Sequence, residues 1–208
     1  MGTANVGGKD PLKVLEGALK GGISTFQLRE KGPAALEGAE LREFATQCRT
    51  LCNQYNVPFI INDDVELALE IGADGVHIGQ DDGVVSDVRA KIGQGKLLGV
   101  STHTVTEALA AVDAGANYIG VGPLYKTNSK ADAGSIVGNE LISAIRTELP
   151  GIPLVGIGGI SERKIISVIK AGATGVAVIS AITAEDDAEE ATRRLKGQVL
   201  ISKTGVEI

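Results

Sequence analysis

The feature that most constrains this chain is a strict alternation of helical segments with short apolar runs, with no hairpin signal anywhere between them. The stretches GGIST from Gly21, IGADGVHIG from Ile71, AGANYIGVG from Ala114 and AGATGVAVIS from Ala171 each join a helix-ending glycine to a buried strand. They recur at a spacing of about two βα units. Strands joined by helices rather than tight turns run parallel, and near-equal repeats favour a closed (β/α)8 TIM-type barrel over a doubly wound sheet.

Counting along the chain predicts seven strands, beginning near Ser24, Phe59, Gly75, Leu97, Tyr118, Leu154 and Gly175. Eight helices accompany them, because the amphipathic stretch Pro11 to Lys20 has no strand before it. The expected fold is therefore an α/β TIM-type parallel barrel whose first strand is missing from this chain. At 208 residues it is expected to form a single domain, residues 1–208.

The formal charge is −6, and no basic run interleaved with aromatics is present, which argues against a nucleic-acid partner. The start, MGTANVGGKD, has no apolar signal core, and no later run approaches a membrane span, so a cytoplasmic protein is expected. Met1-Gly2 is not followed by a complete myristoylation signal, since Val6 stands where a hydroxyl is wanted. Cys48 and Cys52 lie four apart on an expected helix, read as reduced helix residues. The sequence is compatible with a homo-oligomer.

In a parallel barrel the functional groups lie on the loops after the strands. The runs Phe59-Ile60-Ile61 and Gly75 to Gly79 each lead into acids, Asn62-Asp63-Asp64 and Gln80-Asp81-Asp82. Carboxylates at the ends of adjacent parallel strands share a crevice and can hold a hard divalent cation such as Mg²⁺. Asp is also favoured at helix N-caps, so any one of these acids could equally cap the helix that follows. The other strand-end loops carry Arg29, Lys31, Ser101, Thr127, Ser129, Lys130, Gly158, Gly159 and Ser180. Gly158-Gly159 and Ile179-Ser180 follow the last two strands, where barrels often bind phosphate through backbone N–H groups. Cations, an acidic pair and a separate phosphate cradle point to two anionic ligands, one of them a diphosphate.

The motifs QLREK (Gln27 to Lys31), INDD (Ile61 to Asp64), HIGQDD (His77 to Asp82), GVSTHT (Gly99 to Thr104), GVGPLYKTNSK (Gly120 to Lys130), VGIGGI (Val155 to Ile160) and VAVISAI (Val176 to Ile182) together resemble the thiamine-phosphate synthase family. The resemblance spans nearly the whole chain in order. It implies a transferase of thiamine biosynthesis that couples 4-amino-2-methyl-5-(diphosphomethyl)pyrimidine with 4-methyl-5-(2-phosphooxyethyl)thiazole, giving thiamine phosphate and pyrophosphate. The implied mechanism is dissociative, Mg²⁺ is the implied cofactor, and Asp63 and Asp82 are its implied ligands. Gln27, Arg29, Lys31, Asn62, Ser101 and Lys130 match the family's pyrimidine-diphosphate contacts. Thr127, Ser129, Gly159, Ile179 and Ser180 match its thiazole-phosphate contacts. Lys130, Arg29 and Ser101 are the implied catalytic set.

The family usually has Thr at the position of Ser129 and Pro at that of Lys126. The first exchange keeps the hydroxyl, and the second adds a cation with no assigned role. A thiazole tautomerase shares the barrel and the thiazole-phosphate pocket but binds no diphosphate, so intact QLREK, NDD and QDD argue against it. A non-catalytic phosphate-ligand-binding protein is the other alternative, disfavoured by the complete set of metal and cation positions. Met1-Gly2-Thr3 resembles the family's residues just after its first strand, so the natural chain is expected to start upstream of Met1 with a short apolar strand. His77, inside an apolar strand, is expected to be a satisfied core residue with no catalytic task.

Overall fold

The computed structural model describes residues 1–127, 129 and 134–204. Seven parallel strands, β1 (Phe26–Leu28), β2 (Phe59–Asn62), β3 (Gly75–Ile78), β4 (Leu97–Thr102), β5 (Tyr118–Val121), β6 (Leu154–Ile157) and β7 (Gly175–Ala177), pair in sequence order in one sheet. The sheet is a curled, TIM-like half-barrel. Every pairing is parallel, as helical crossovers require.

The helices are α1 (Pro11–Gly21), α2 (Gly38–Gln54), α3 (Val65–Glu70), α4 (Val85–Ile92), α5 (Val105–Asp113), α6 (Gly138–Glu148), α7 (Glu162–Lys170), α8 (Ser180–Thr183) and α9 (Ala188–Thr204). The expected count of eight is therefore one short among the described residues. The extra element is α8, a single turn that begins at Ser180, where the apolar pattern of the last strand ends. That strand stops at Ala177, because Ile179 adopts φ −121° and ψ −77° and turns the chain into α8.

Local chemistry explains the ends of these elements. Asp10 caps α1 by accepting from the Leu12 and Lys13 backbone N–H groups, and Pro11 occupies the first helical position, where no donor is needed. Thr104 accepts from the N–H of Glu107 to start α5, while the Glu107 carboxylate returns to the His103 N–H at 2.7 Å, one residue before the N–H that a capping box would use. Phe59, Ile60, Ile61, Val76, Ile78, Leu98, Val100 and Ile119 are almost wholly buried, which is why β2 to β5 read as apolar on both faces. Each such side chain contributes about 1.5–3 kcal/mol relative to exposure. Cys48 and Cys52 are free and buried in α2, and burial pushes both thiols up to about 12, so they are inert, reduced packing residues.

The sequence repeat has a structural counterpart at the end of the sheet opposite the strand carboxyl termini. Arg89 of α4 donates Nε and Nη2 to the Gly115 carbonyl at 3.1 and 3.0 Å, and Nη1 to the Gly93 and Lys96 carbonyls. Its Nη2 also reaches Asn117 Oδ1 at 2.6 Å, an oxygen that accepts from the Leu98 N–H at the start of β4. Arg146 of α6 repeats the arrangement two βα units later, on the carbonyls of Gly172, Leu149, Pro150 and Ile152 and on Thr174, whose hydroxyl accepts from the Leu154 N–H. Each guanidinium thus ties a helix to the turn preceding the next strand. Arg89→Met is expected to lower unfolding stability by about 2–3 kcal/mol in urea denaturation, since it strands several carbonyls that a charged donor now satisfies. A loss below about 0.5 kcal/mol would show that water replaces the guanidinium.

Candidate active site

The carboxyl ends of the strands carry the expected residues. Gln27 lies in β1, with Arg29 and Lys31 just beyond it; Asn62 ends β2 with Asp63 next; Asp82 follows β3; and Ser101 is in β4. Thr127 and Ser129 follow β5, Gly159 follows β6, and Ile179 precedes Ser180 at the start of α8. Lys130 lies outside the described residues.

The competing roles of the acids separate cleanly. Asp64 caps α3, its Oδ1 accepting from the Leu67 N–H at 2.9 Å. Asp63 does not cap. Its N–H donates to the His77 carbonyl at 2.8 Å, and its φ of +65° is a left-handed value that only a few non-glycine residues adopt. Its carboxylate meets Lys31, which also approaches Asp82, while Asn62 Nδ2 donates to Asp63 Oδ2 at 2.6 Å. Asp82 caps no helix either, since Val84 is the N-cap of α4. Its Oδ2 accepts from the Gly79 N–H at 2.8 Å, which closes the loop after β3.

Lys31 sits between the two carboxylates, ion-paired with Asp63 Oδ2 and 4.0 Å from Asp82 Oδ1. Burial pushes the Asp63 carboxyl up; Lys31 pulls it down and Asp82 pushes it up again, leaving it above the usual carboxylate range. Burial opposes the charge on Lys31, but the two carboxylates outweigh it and hold its ammonium above the usual lysine range. The acids therefore form one electrostatic unit that already holds a cationic group.

On the other side of the rim the loops after β5 and β6 are joined. The Leu124 N–H donates to the Ile157 carbonyl at 2.9 Å and the Tyr125 N–H to the Gly158 carbonyl at 3.1 Å. Gly159, at φ +63°, lies so close that a Cβ would stand 2.3 Å from the Lys126 carbonyl oxygen and 2.8 Å from that of Tyr125. Lys164 of α7 donates to the Gly159 carbonyl at 2.8 Å and lies 4.1 Å over the Tyr125 ring. The Ser129 N–H donates to Thr127 Oγ1 at 3.2 Å, keeping the two hydroxyl residues of this loop together. Leu124 is buried, although its loop reads as too polar for the core.

Several supporting residues carry no sequence signal as site residues. Gln80 Nε2 donates to the Ser101 carbonyl at 2.7 Å, and Thr3 and Leu36 fix Glu30 beside Arg29. The Met1 ammonium donates to the Gln27 carbonyl at 2.8 Å and the Arg29 N–H to the Met1 carbonyl at 3.1 Å, so the first residue runs along β1 as a parallel neighbour would. His77 is buried, and both its ring nitrogens have partners, in Tyr118 and Ser101.

Fold and rim define a TIM-type α/β enzyme. The model of the thiamine monophosphate synthase family matches residues 2–182. The chain is similar to thiamine-phosphate synthase of Bacillus licheniformis, 54% identical over 203 residues that cover 98% of this chain and 90% of that protein. It is similar also to thiamine-phosphate synthase of Bacillus cereus, 52% identical over 191 residues covering 92% of this chain and 87% of that one. A thiamine phosphate pyrophosphorylase from Pyrococcus furiosus superposes with a TM-score of 0.85 at 30% identity, covering 97% of this chain and 94% of that chain. The chain belongs to the thiamine monophosphate synthase family and is a transferase of thiamine biosynthesis.

Proposed function

We propose that the enzyme couples 4-amino-2-methyl-5-(diphosphomethyl)pyrimidine with 4-methyl-5-(2-phosphooxyethyl)thiazole, releasing pyrophosphate and forming thiamine phosphate. The observation that carries this reading is the Asp63–Lys31–Asp82 unit at the ends of adjacent strands, with Arg29 beside it. Two carboxylates that gather an ammonium between them suit a hard divalent cation, whose remaining oxygen ligands would come from the diphosphate and water. Asp63 and Asp82 would hold Mg²⁺, which when bound would draw the diphosphate to this rim and neutralise its charge.

Arg29, Lys31 and Lys130 then bind the diphosphate oxygens, where negative charge builds as the leaving group departs. Asn62, Gln27 and Ser101 orient the pyrimidine end. The bond from the pyrimidine methylene carbon to the diphosphate oxygen breaks with its electron pair going to the diphosphate. The thiazole nitrogen lone pair then forms the new carbon–nitrogen bond. That nitrogen carries no proton, so no general base is required. Thr127, Ser129, Gly159, Ile179 and Ser180 seat the thiazole phosphate through hydroxyl and backbone N–H groups.

This reading places the protein in the cytoplasm, acting on two small phosphorylated substrates without a nucleic-acid or membrane partner. No helix among the described residues is long and apolar enough to cross a membrane. An assay of pyrophosphate release tests the reading. Release that requires both substrates together is the expected result. Isomerisation of a thiazole without pyrophosphate would indicate a tautomerase, and tight binding without turnover a non-catalytic binder.

A further inference from the structure

Beneath the rim, three polar side chains from three strands form a connected chain. Tyr118 of β5 lies 3.0 Å from Nδ1 of His77 in β3, and His77 Nε2 lies 2.8 Å from Ser101 Oγ of β4. The His77 and Tyr118 rings tilt against each other with centroids 5.4 Å apart. Space for them is built into the strands. A Cβ at Gly99 would stand 2.1 Å from Tyr118 Cζ and 2.4 Å from His77 Nδ1, and one at Gly120 would meet His77 Cε1 at 3.1 Å. Two strand interiors thus give up side-chain packing to admit a polar pair, and that pair ends on Ser101, a residue assigned to the pyrimidine diphosphate.

We propose that His77 and Tyr118 are positioning residues that fix the hydrogen-bond polarity of Ser101, so that it offers its hydroxyl proton to the pyrimidine diphosphate. The Tyr118 phenol donates its proton to His77 Nδ1. The imidazole is then protonated at Nε2 and donates to Ser101 Oγ. With its oxygen accepting from His77 and its carbonyl held by Gln80, Ser101 directs its own hydrogen outward. Burial keeps the Tyr118 phenol far above its ordinary range, so it serves as a neutral relay at any working pH. The inference rests on the proposed pyrimidine-diphosphate reading for the role of Ser101, while the polarity itself can be measured without substrate.

Two measurements test it. In protein labelled with ¹⁵N-histidine, assigned with the help of His103→Gln, long-range proton–nitrogen correlation should show His77 as the neutral Nε2–H tautomer at neutral pH. An Nδ1–H tautomer would reverse every donor in the chain and overturn the proposal whether or not the enzyme turns over. In kinetics, His77→Leu should lower kcat/KM for the pyrimidine diphosphate about tenfold or more and leave KM for the thiazole phosphate within about twofold. His77→Gln, which returns an N–H to Ser101, should recover most of the loss, and Tyr118→Phe should reproduce the split if His77→Leu fails to fold. Equal losses for both substrates, or no recovery by the amide, would mean a packing role only and overturn it. If the parent enzyme releases no pyrophosphate, the functional reading falls and the tautomer measurement still decides the polarity.

Discussion

Asp63→Asn is expected to yield a protein that melts at a higher temperature and has lost at least about 99% of its pyrophosphate release. Asn is enriched at left-handed backbone positions, so the substitution preserves the φ of +65° and removes only the charge. The folded Asp63 carboxyl titrates above its ordinary value because of burial and the neighbouring Asp82. A carboxyl raised on folding favours the protonated form, so stability falls as pH rises from the unfolded pKa through the folded one, and the cost is complete above the latter. A neutral amide removes that cost at neutral pH, for an expected gain of about 2 °C. The same shift has a consequence for ligands. Divalent-cation affinity should fall as pH is lowered through the raised Asp63 range, with proton release on binding, because the cation needs the carboxylate ionised. Calorimetric titration with Mg²⁺ in buffers of different ionisation heat measures that proton. A lower melting temperature with unaltered turnover would show that Asp63 is a structural acid.

Gly159→Ala is expected to lower kcat/KM for the thiazole phosphate about 100-fold while changing KM for the pyrimidine diphosphate less than about threefold. The added Cβ would meet two carbonyl oxygens of the Tyr125–Lys126 segment, at 2.8 and 2.3 Å, and both belong to backbone that cannot swing away like a side-chain tip. Relief requires parting the loops after β5 and β6, which also carry Thr127, Ser129 and the Tyr125–Lys164 contact. The φ of +63° adds strain of about 1–2 kcal/mol for any side chain. The Asp63–Lys31–Asp82 unit is built from the loops after β1, β2 and β3 and shares none of these contacts. Equal loss for both substrates would show that the two halves of the rim act as one.

The fold was legible because its signals are local. Buried parallel strands read as apolar runs, and the glycines that stop each helix fall at regular intervals, so all seven strands could be placed within two residues of their starts. The last strand was overextended because Val178 and Ile179 are as apolar as a strand residue, and only the backbone turn at Ile179 reveals α8. Among the acids, composition alone could not separate a helix cap from an acid that faces the rim. The structure separates them by torsion angle, Asp64 turning onto the Leu67 N–H and Asp63 turning away from it. The set Tyr118, His77 and Ser101 was not legible, since its members are far apart in sequence and meet only in the folded sheet. Its one trace was Gly99 and Gly120 interrupting apolar strands beside His77 and Tyr118, a signal that also fits ordinary close packing.

The central claim is that this rim binds a diphosphate through a divalent cation held by Asp63 and Asp82 and expels it as pyrophosphate during coupling. A rapid-quench single turnover with both substrates, counting thiamine phosphate and pyrophosphate in the same samples, tests it most directly. Equal yields of the two products that vanish in excess chelator and return with Mg²⁺ are predicted. Full turnover in excess chelator, or thiamine phosphate appearing without pyrophosphate, would contradict it.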